Sequence, residues 1–356
     1  MKLLVISLAG NGDTLFATPL IHELRANFPA AQIDVLVRWR AAKELLEGNP
    51  HVNTVHQRDL MVAGKMGSLQ FLRQLRRERY DVSFNTHPQS RIHYRLISRI
   101  VAARVRASHE YECSGPLDQL LVNRSLPQDY ARHAIHNNLA LLGLIGAQPV
   151  LPRHEYEIFP AAAETHSAEQ FLVEKELRGR PLLGVHIGSG GTKNLALRRW
   201  PLENYRALFR RLNETRPELS ILLFGGPDEQ ADHELILAQP GLRRVCLAPT
   251  RNLRQAAAFL RHCQAFLSVD TALMHLAAAV KVPHQFVIET PTWNPPIEPF
   301  NQPFTLIKNP GVAGRNLELY RYDGRPIRGS REEIVRCMAS VGVEAVLAAL
   351  HGGLPA

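Results

Sequence analysis

The sequence predicts an α/β protein of two domains, each built on a parallel sheet with helices on both faces. Short apolar runs alternate along the chain with longer segments of helical periodicity, which is the pattern of consecutive β-α-β units. At 356 residues the chain is long for one hydrophobic core. Strand, glycine turn and helix also recur on both sides of a proline-flanked break, Gly146-Ala-Gln-Pro-Val-Leu-Pro152. The expected plan is therefore a first domain over 1–150 and a second over 151–328, their sheets facing one cleft. A helical tail over 329–356 is expected to pack back on the first domain.

In order, strands are predicted at 3–8, 33–37, 52–55 and 82–84, with helices at 14–28, 41–47, 68–80 and 91–101. Pro29 and Gly48-Asn-Pro50 stop the first two helices. Residues 108–130 lose periodicity and read as a loop carrying Pro116 and Pro127, ahead of a helix over 131–144. Beyond the break come a helix over 164–176, strands at 182–187, 221–224 and 265–269, and helices opening near Leu202, Asp228 and Asn252. Ser330-Arg-Glu-Glu333 is a capping box for a last helix. No apolar stretch approaches the length of a membrane span, and residues 1–9 read as a first strand rather than a signal peptide. A cytoplasmic protein is the expectation.

The net charge of +9 favours anionic partners: phosphorylated substrates, nucleic acid or an acidic membrane surface. Nucleic acid is disfavoured because no aromatics are interleaved with the arginines. The four cysteines are far apart and form no CxxC, which fits a reducing compartment.

Three stretches carry chemistry. Gly10-Asn-Gly12-Asp13-Thr14 follows the first strand and opens a helix. It lacks the third glycine of a dinucleotide fingerprint, and no acidic residue ends the second strand to take a ribose. Asp13 is thus unexplained by a nicotinamide site, and on its own reads as a helix cap. His186 to Pro201 delivers a strand into Gly188-Ser-Gly-Gly-Thr-Lys193, a loop able to approach an anion closely, with Lys193, Arg198 and Arg199 supplying charge. A flexible basic surface loop is the plainer alternative. Ala265 to Val280 is a buried strand running into a helix capped by Asp270 or Thr271. Its N-terminus suits a phosphate, with His275 as a further donor or an ordinary surface histidine. There is no HExxH, no Walker loop and no Gly-x-Ser-x-Gly elbow, and His133-Ala-Ile-His136 reads as a solvated helix face. No Asp-x-Asp occurs, which argues against a nucleotide gripped through a divalent metal.

Taken together, Ile6 to Leu20, His186 to Pro201, Phe224-Gly-Gly-Pro-Asp-Glu229 and Ser268 to His275 resemble the family 9 glycosyltransferases, the ADP-heptose:lipopolysaccharide heptosyltransferases. The resemblance implies a GT-B fold, with two Rossmann-like domains, the acceptor on the first and the nucleotide-sugar on the second. It also implies an inverting transfer with no metal and no cofactor. Asp13 would be the catalytic base, and Arg198, with the helix at Asp270, would stabilise the departing diphosphate. Gly188, Ser189, Thr192, Lys193, Glu229, Asp270, Thr271, Ala272 and His275 would hold the donor, with Glu229 near its ribose. Gly12 would face the acceptor, and Lys65, Arg73, Arg76 and Arg77 are expected to form a cleft-side patch for an anionic glycolipid. Arg91, Arg95 and Arg99, spaced by four, are expected to share one helix face. That charge would also draw the enzyme to the inner membrane without an anchor. The chain departs from the family pattern at Arg198, where lysine is usual, at Ala272, where glycine is usual, and at 288–300. Another nucleotide-sugar or acceptor, or a relative that binds without transferring, is the alternative.

Overall fold

The computed structural model describes residues 1–190, 195–291, 295–312 and 330–354. They form two compact units, the first comprising 1–159 with Pro295–Ile297, the second 160–291 with 298–312 and 330–354. The boundary falls nine residues after the expected one, because the chain beyond Pro149 stays on the first unit. The Glu157 N–H donates to Thr18 Oγ1 at 3.0 Å, and His154 Nε2 lies 2.7 Å from Glu23 Oε1.

The first unit runs β1 (Lys2–Ser7), α1 (Asn11–Asn27), β2 (Gln32–Val37), α2 (Arg40–Leu46), β3 (Thr54–Gln57), α3 (Gly64–Arg77), β4 (Val82–Asn85), α4 (Ile92–Val101), β5 (Val105–Glu110), α5 (Pro116–Leu121), β6 (Arg124–Pro127) and α6 (Ala134–Ala140). The second runs α7 (Ala162–Glu174), β7 (Leu182–His186), α8 (Leu202–Thr215), β8 (Ser220–Phe224), α9 (Gln230–Leu237), β9 (Val245–Leu247), α10 (Leu253–Leu260), β10 (Ala265–Ser268), α11 (Ala272–Ala279), β11 (His284–Ile288), β12 (Phe304–Ile307), α12 (Arg331–Ala339) and α13 (Val343–Gly353). The predicted loop over 108–130 in fact holds the end of β5 together with α5 and β6.

Among the described residues each unit carries one six-stranded parallel sheet, ordered β3-β2-β1-β4-β5-β6 and β12-β11-β10-β7-β8-β9. Both chains start at an inner strand, wind outward, and return to the other side. Each sheet therefore has a switch point, between β1 and β4 in the first and between β7 and β10 in the second. Ligands of such sheets bind outside the carboxyl ends of the strands there. The inner strands are apolar on both faces because helices cover both: Leu3 to Ile6 and Phe266 to Leu267 are wholly buried.

Helix α1 contains Pro19, which cannot donate to the Leu15 carbonyl four residues back. Thr18 Oγ1 donates to that carbonyl instead, at 2.8 Å, so the helix continues without an orphaned acceptor. The C-terminal tail corrects an expectation. Met338, Val341, Val346, Leu347 and Leu350 join the core of the second unit, not the first. The Trp200 indole N–H donates to the Val341 carbonyl at 2.8 Å, and Arg211 pairs with Glu344. Among the described residues no single helix is long and apolar enough to cross a membrane; α12 and α13 pass only as a pair bent by 51°. All four cysteines are free thiols.

Candidate active site

At the first switch point α1 starts earlier than expected, taking Gly12 and Asp13 into its first turn. Gly10 is the N-cap in extended backbone, and Asp13 is the acidic residue of the first turn. A Cβ on Gly10 would stand 2.8 Å from Asp13 Oδ2, so the half-buried carboxylate folds back over the helix start. Beside β1, the loop after β4 contributes buried Thr86, His87 and Gln89. Thr86 Oγ1 donates to the Ile6 carbonyl at 3.1 Å, and the His87 N–H donates to Asn138 Oδ1 at 2.7 Å. Asn138 in turn donates to the Phe16 carbonyl, tying this loop to α1. Tyr111, just past β5, lies with its hydroxyl 3.3 Å from His87 Nδ1 and accepts the Gln89 N–H at 3.0 Å. Burial holds His87 well below its ordinary pKa and His109 down to about 4, so both rings are neutral near pH 7. Sequence reasoning missed this set, because Thr86 to Gln89 form no recognisable motif and 108–130, which holds His109 and Tyr111, carries no periodicity.

At the second switch point the expected residues converge in three groups. His186 Nδ1 and Thr271 Oγ1 share a hydrogen bond at 3.1 Å, and burial pushes His186 down to about 3. Thr271, not Asp270, caps α11, accepting the Met274 N–H. Asp270 instead accepts from Arg198 at 3.0 Å, and His275 Nε2 lies 4.0 Å from its other oxygen. Burial raises the Asp270 carboxyl against the pull of Arg198. His275 is 4% exposed, no surface histidine, because α11 is buried almost all round. In the third group Glu229, expected near a ribose, is 5% exposed and braces two turns. It accepts from Arg199 at 2.7 Å and from the Gly226 N–H at 2.9 Å. A Cβ on Gly188 would meet Glu229 Oε1 at 2.3 Å, so only glycine lets the carboxylate lie on this loop. Arg199 also donates to the buried Ser189 carbonyl at 3.0 Å. Arg199 thus joins the site, although the sequence singled out its neighbour. Ala272 is the first residue of α11, and Thr192 and Lys193 lie outside the described residues.

The basic helices correct two expectations. Helix α3 runs antiparallel to the strands, from the ligand-binding edge of the sheet to the opposite edge. Lys65 therefore stands near the ligand edge. Arg76 and Arg77, at the far end of a 14-residue helix, are about 20 Å away. Glu78 beside them pairs with Lys2 at the start of β1. Arg73, Arg76 and Arg77 are exposed, and Arg76 and Arg77 lie at the end of α3 away from the first switch point. Arg91, Arg95 and Arg99 do not share a face either. Arg91 is the N-cap of α4, and Arg95 is 1% exposed and paired with Asp118 at 3.1 Å. His133 and His136 are half-buried, His133 as the cap of α6.

Paired Rossmann-type sheets in one chain, with cations and a helix start at the switch point of the second, follow the plan of the GT-B glycosyltransferases. Residues 68–287 match glycosyltransferase family 9 (heptosyltransferase), and the chain belongs to that family. Lipopolysaccharide heptosyltransferase 2 of Salmonella typhimurium is 28% identical over 317 residues, 83% of this chain and 86% of that protein. Two solved structures share the fold. The family 9 glycosyltransferase from Veillonella parvula has a TM-score of 0.76 at 19% identity, with 99% of this chain and 96% of that one covered. E. coli heptosyltransferase WaaC with ADP-2-deoxy-2-fluoro heptose has 0.71 at 19% identity, with 99% of each covered.

Proposed function

We propose that the protein is an inverting, metal-independent heptosyltransferase. It would move a heptose from ADP-heptose to an anionic lipopolysaccharide-core acceptor at the cytoplasmic face of the inner membrane. The observation that carries the donor half is the convergence of Arg198, Asp270, Thr271 and His275 at the start of α11. Arg198 donates to Asp270 and brings a guanidinium charge, the group suited to a diphosphate, to the start of α11. The helix start adds backbone N–H groups and a positive dipole end, fixed charge doing what a metal does elsewhere. In the transfer, the acceptor hydroxyl attacks the anomeric carbon as the bond to the β-phosphate breaks. Its proton passes to Asp13, and ADP leaves with the bonding pair. A single displacement inverts the anomeric centre.

The test is calorimetry and turnover across ADP-, UDP- and GDP-sugars. ADP-heptose is expected to bind most tightly and be consumed. A different preferred nucleotide would move the protein to another donor, the alternative that Ala272 at the first position of α11 raises. Binding with no turnover would make it a nucleotide-sugar-binding relative. Arg198→Ala and His275→Ala are each expected to weaken ADP binding by about 1.5–3 kcal/mol, roughly 10–150-fold in Kd. Unchanged affinity in both would place the diphosphate elsewhere.

The acceptor half rests on the rim of the first unit. Exposed Met61, Val62 and Met66 lead into α3, Ile92 opens α4, and Leu117 lies on α5, all where their helices begin at the ligand edge. Exposed Arg58, Lys65 and Arg91 stand among them. Apolar side chains mixed with cations suit an anionic lipid surface. Lys65→Glu and Arg91→Glu are each expected to weaken sedimentation with phosphatidylserine vesicles about fivefold or more. Arg76→Glu with Arg77→Glu should have a much smaller effect. Equal effects of the two sets would mean that general charge, not this rim, meets the lipid.

A further inference from the structure

We propose a structural binding site for one divalent transition cation, zinc foremost, at the edge of the first unit away from its switch point, made by His22, His51 and Glu157. His22 lies on α1, His51 in the turn before β3, and Glu157 on the strap that leads out of the unit. One donor atom from each falls within 4.8 Å of the others. His22 Nδ1 is 2.7 Å from Glu157 Oε1, and His51 Nε2 is 3.6 Å from Glu157 Oε2. Zinc bonds of 2.0–2.2 Å in a tetrahedron put donors about 3.3 Å apart, between the 2.7 and 3.6 Å separations here. Two imidazoles and a carboxylate are a donor set that zinc accepts, with solvent in a fourth position beside the partly exposed His22.

Two further features mark a built site. Glu157 Oε2 is buried and accepts no hydrogen bond, although it points at His51. His51 is held on both sides of its backbone: its N–H donates to Asn49 Oδ1 at 2.9 Å and its carbonyl accepts from Arg25 at 3.2 Å. The rings of His22 and His51 stack with centroids 3.8 Å apart, so binding one cation in the plane of both requires a ring to turn out of the stack. The site lies nine residues along α1 from Asp13, about 14 Å. The cation's task would be to fasten the 154–159 strap to α1, and it would take no part in the transfer.

The experiment is equilibrium dialysis of the full chain against zinc chloride, with elemental analysis and thermal melting. One zinc per chain is expected, together with a raised Tm that EDTA reverses. His22→Ala, His51→Gln and Glu157→Gln should each cost at least the ~10–100-fold in affinity that loss of a mere supporting group costs. Their metal-free Tm tells a lost ligand from a lost fold. Cobalt substitution of the parent reads the donors directly and needs no variant. Tetrahedral d–d bands without a thiolate charge-transfer band are expected. A thiolate band, no retained zinc, or equal affinity in folded variants would overturn the site.

Discussion

Asp13→Asn is expected to lower kcat by ~10²–10⁴-fold, the usual worth of a positioned acid–base group. Asparagine keeps the shape of the side chain and its fold over Gly10, but it cannot take the acceptor's proton. ADP affinity should stay within about twofold, because the donor residues belong to the other unit. Single-turnover rates at saturating donor, with calorimetry of ADP, separate the two. If kcat does not move, Asp13 is only an acidic residue in the first turn of α1, whose loss costs ~0.3–1 kcal/mol of stability.

Arg95→Ala is expected to destabilise the first unit by about 3–5 kcal/mol, as breaking a buried ion pair from one side does. The guanidinium donates to the Ser90 carbonyl at 3.0 Å, the His109 carbonyl at 3.1 Å and Ser114 Oγ at 3.3 Å, besides pairing with Asp118. Its plane also lies over the Tyr111 ring, 5.3 Å from the centroid. Truncation strands several groups at once and loosens the loop after β4, whose Ser90 carbonyl it leaves without the Arg95 donor. Denaturant unfolding of Arg95→Ala beside Arg99→Ala tests this, the latter expected within about 0.5 kcal/mol of the parent because Arg99 is exposed. Equal, small losses in both would show that Arg95 is a solvated cation after all.

The parts of the fold that sequence reasoning reached are those where burial dictates pattern. β1, β7 and β10 are covered on both faces and read as unbroken apolar runs. β6 and β9 are edge strands, at most half-buried, so nothing in Arg124-Ser-Leu-Pro127 or Val245-Cys-Leu247 announces a strand. Turn chemistry was legible at Asn252 and Ser330, which both cap as expected. At the site, Thr271, Asp270 and His186 were legible because a strand must hand its last residues to the next helix start. The carboxylate partners of Arg198, Arg199 and Arg95 were not. Spacing assigns a residue to a helix face, but it does not show which arginine finds a carboxylate in the interior. Nor does a count of cations on α3 reveal that the helix carries Arg76 and Arg77 away from the ligand edge.

The indole of Trp200, fastened to the Val341 carbonyl, directly follows the two arginines that brace the donor loops. Those arginines occupy a stretch that hangs between two moorings: Arg199 reaches back to Ser189, and Trp200 reaches forward to the turn that joins α12 to α13. A turn 141 residues on is thereby fastened directly to the residue that follows those two arginines. A change at that turn would reach Arg198 and Arg199 through Trp200 with no residue from His186 to Trp200 itself altered.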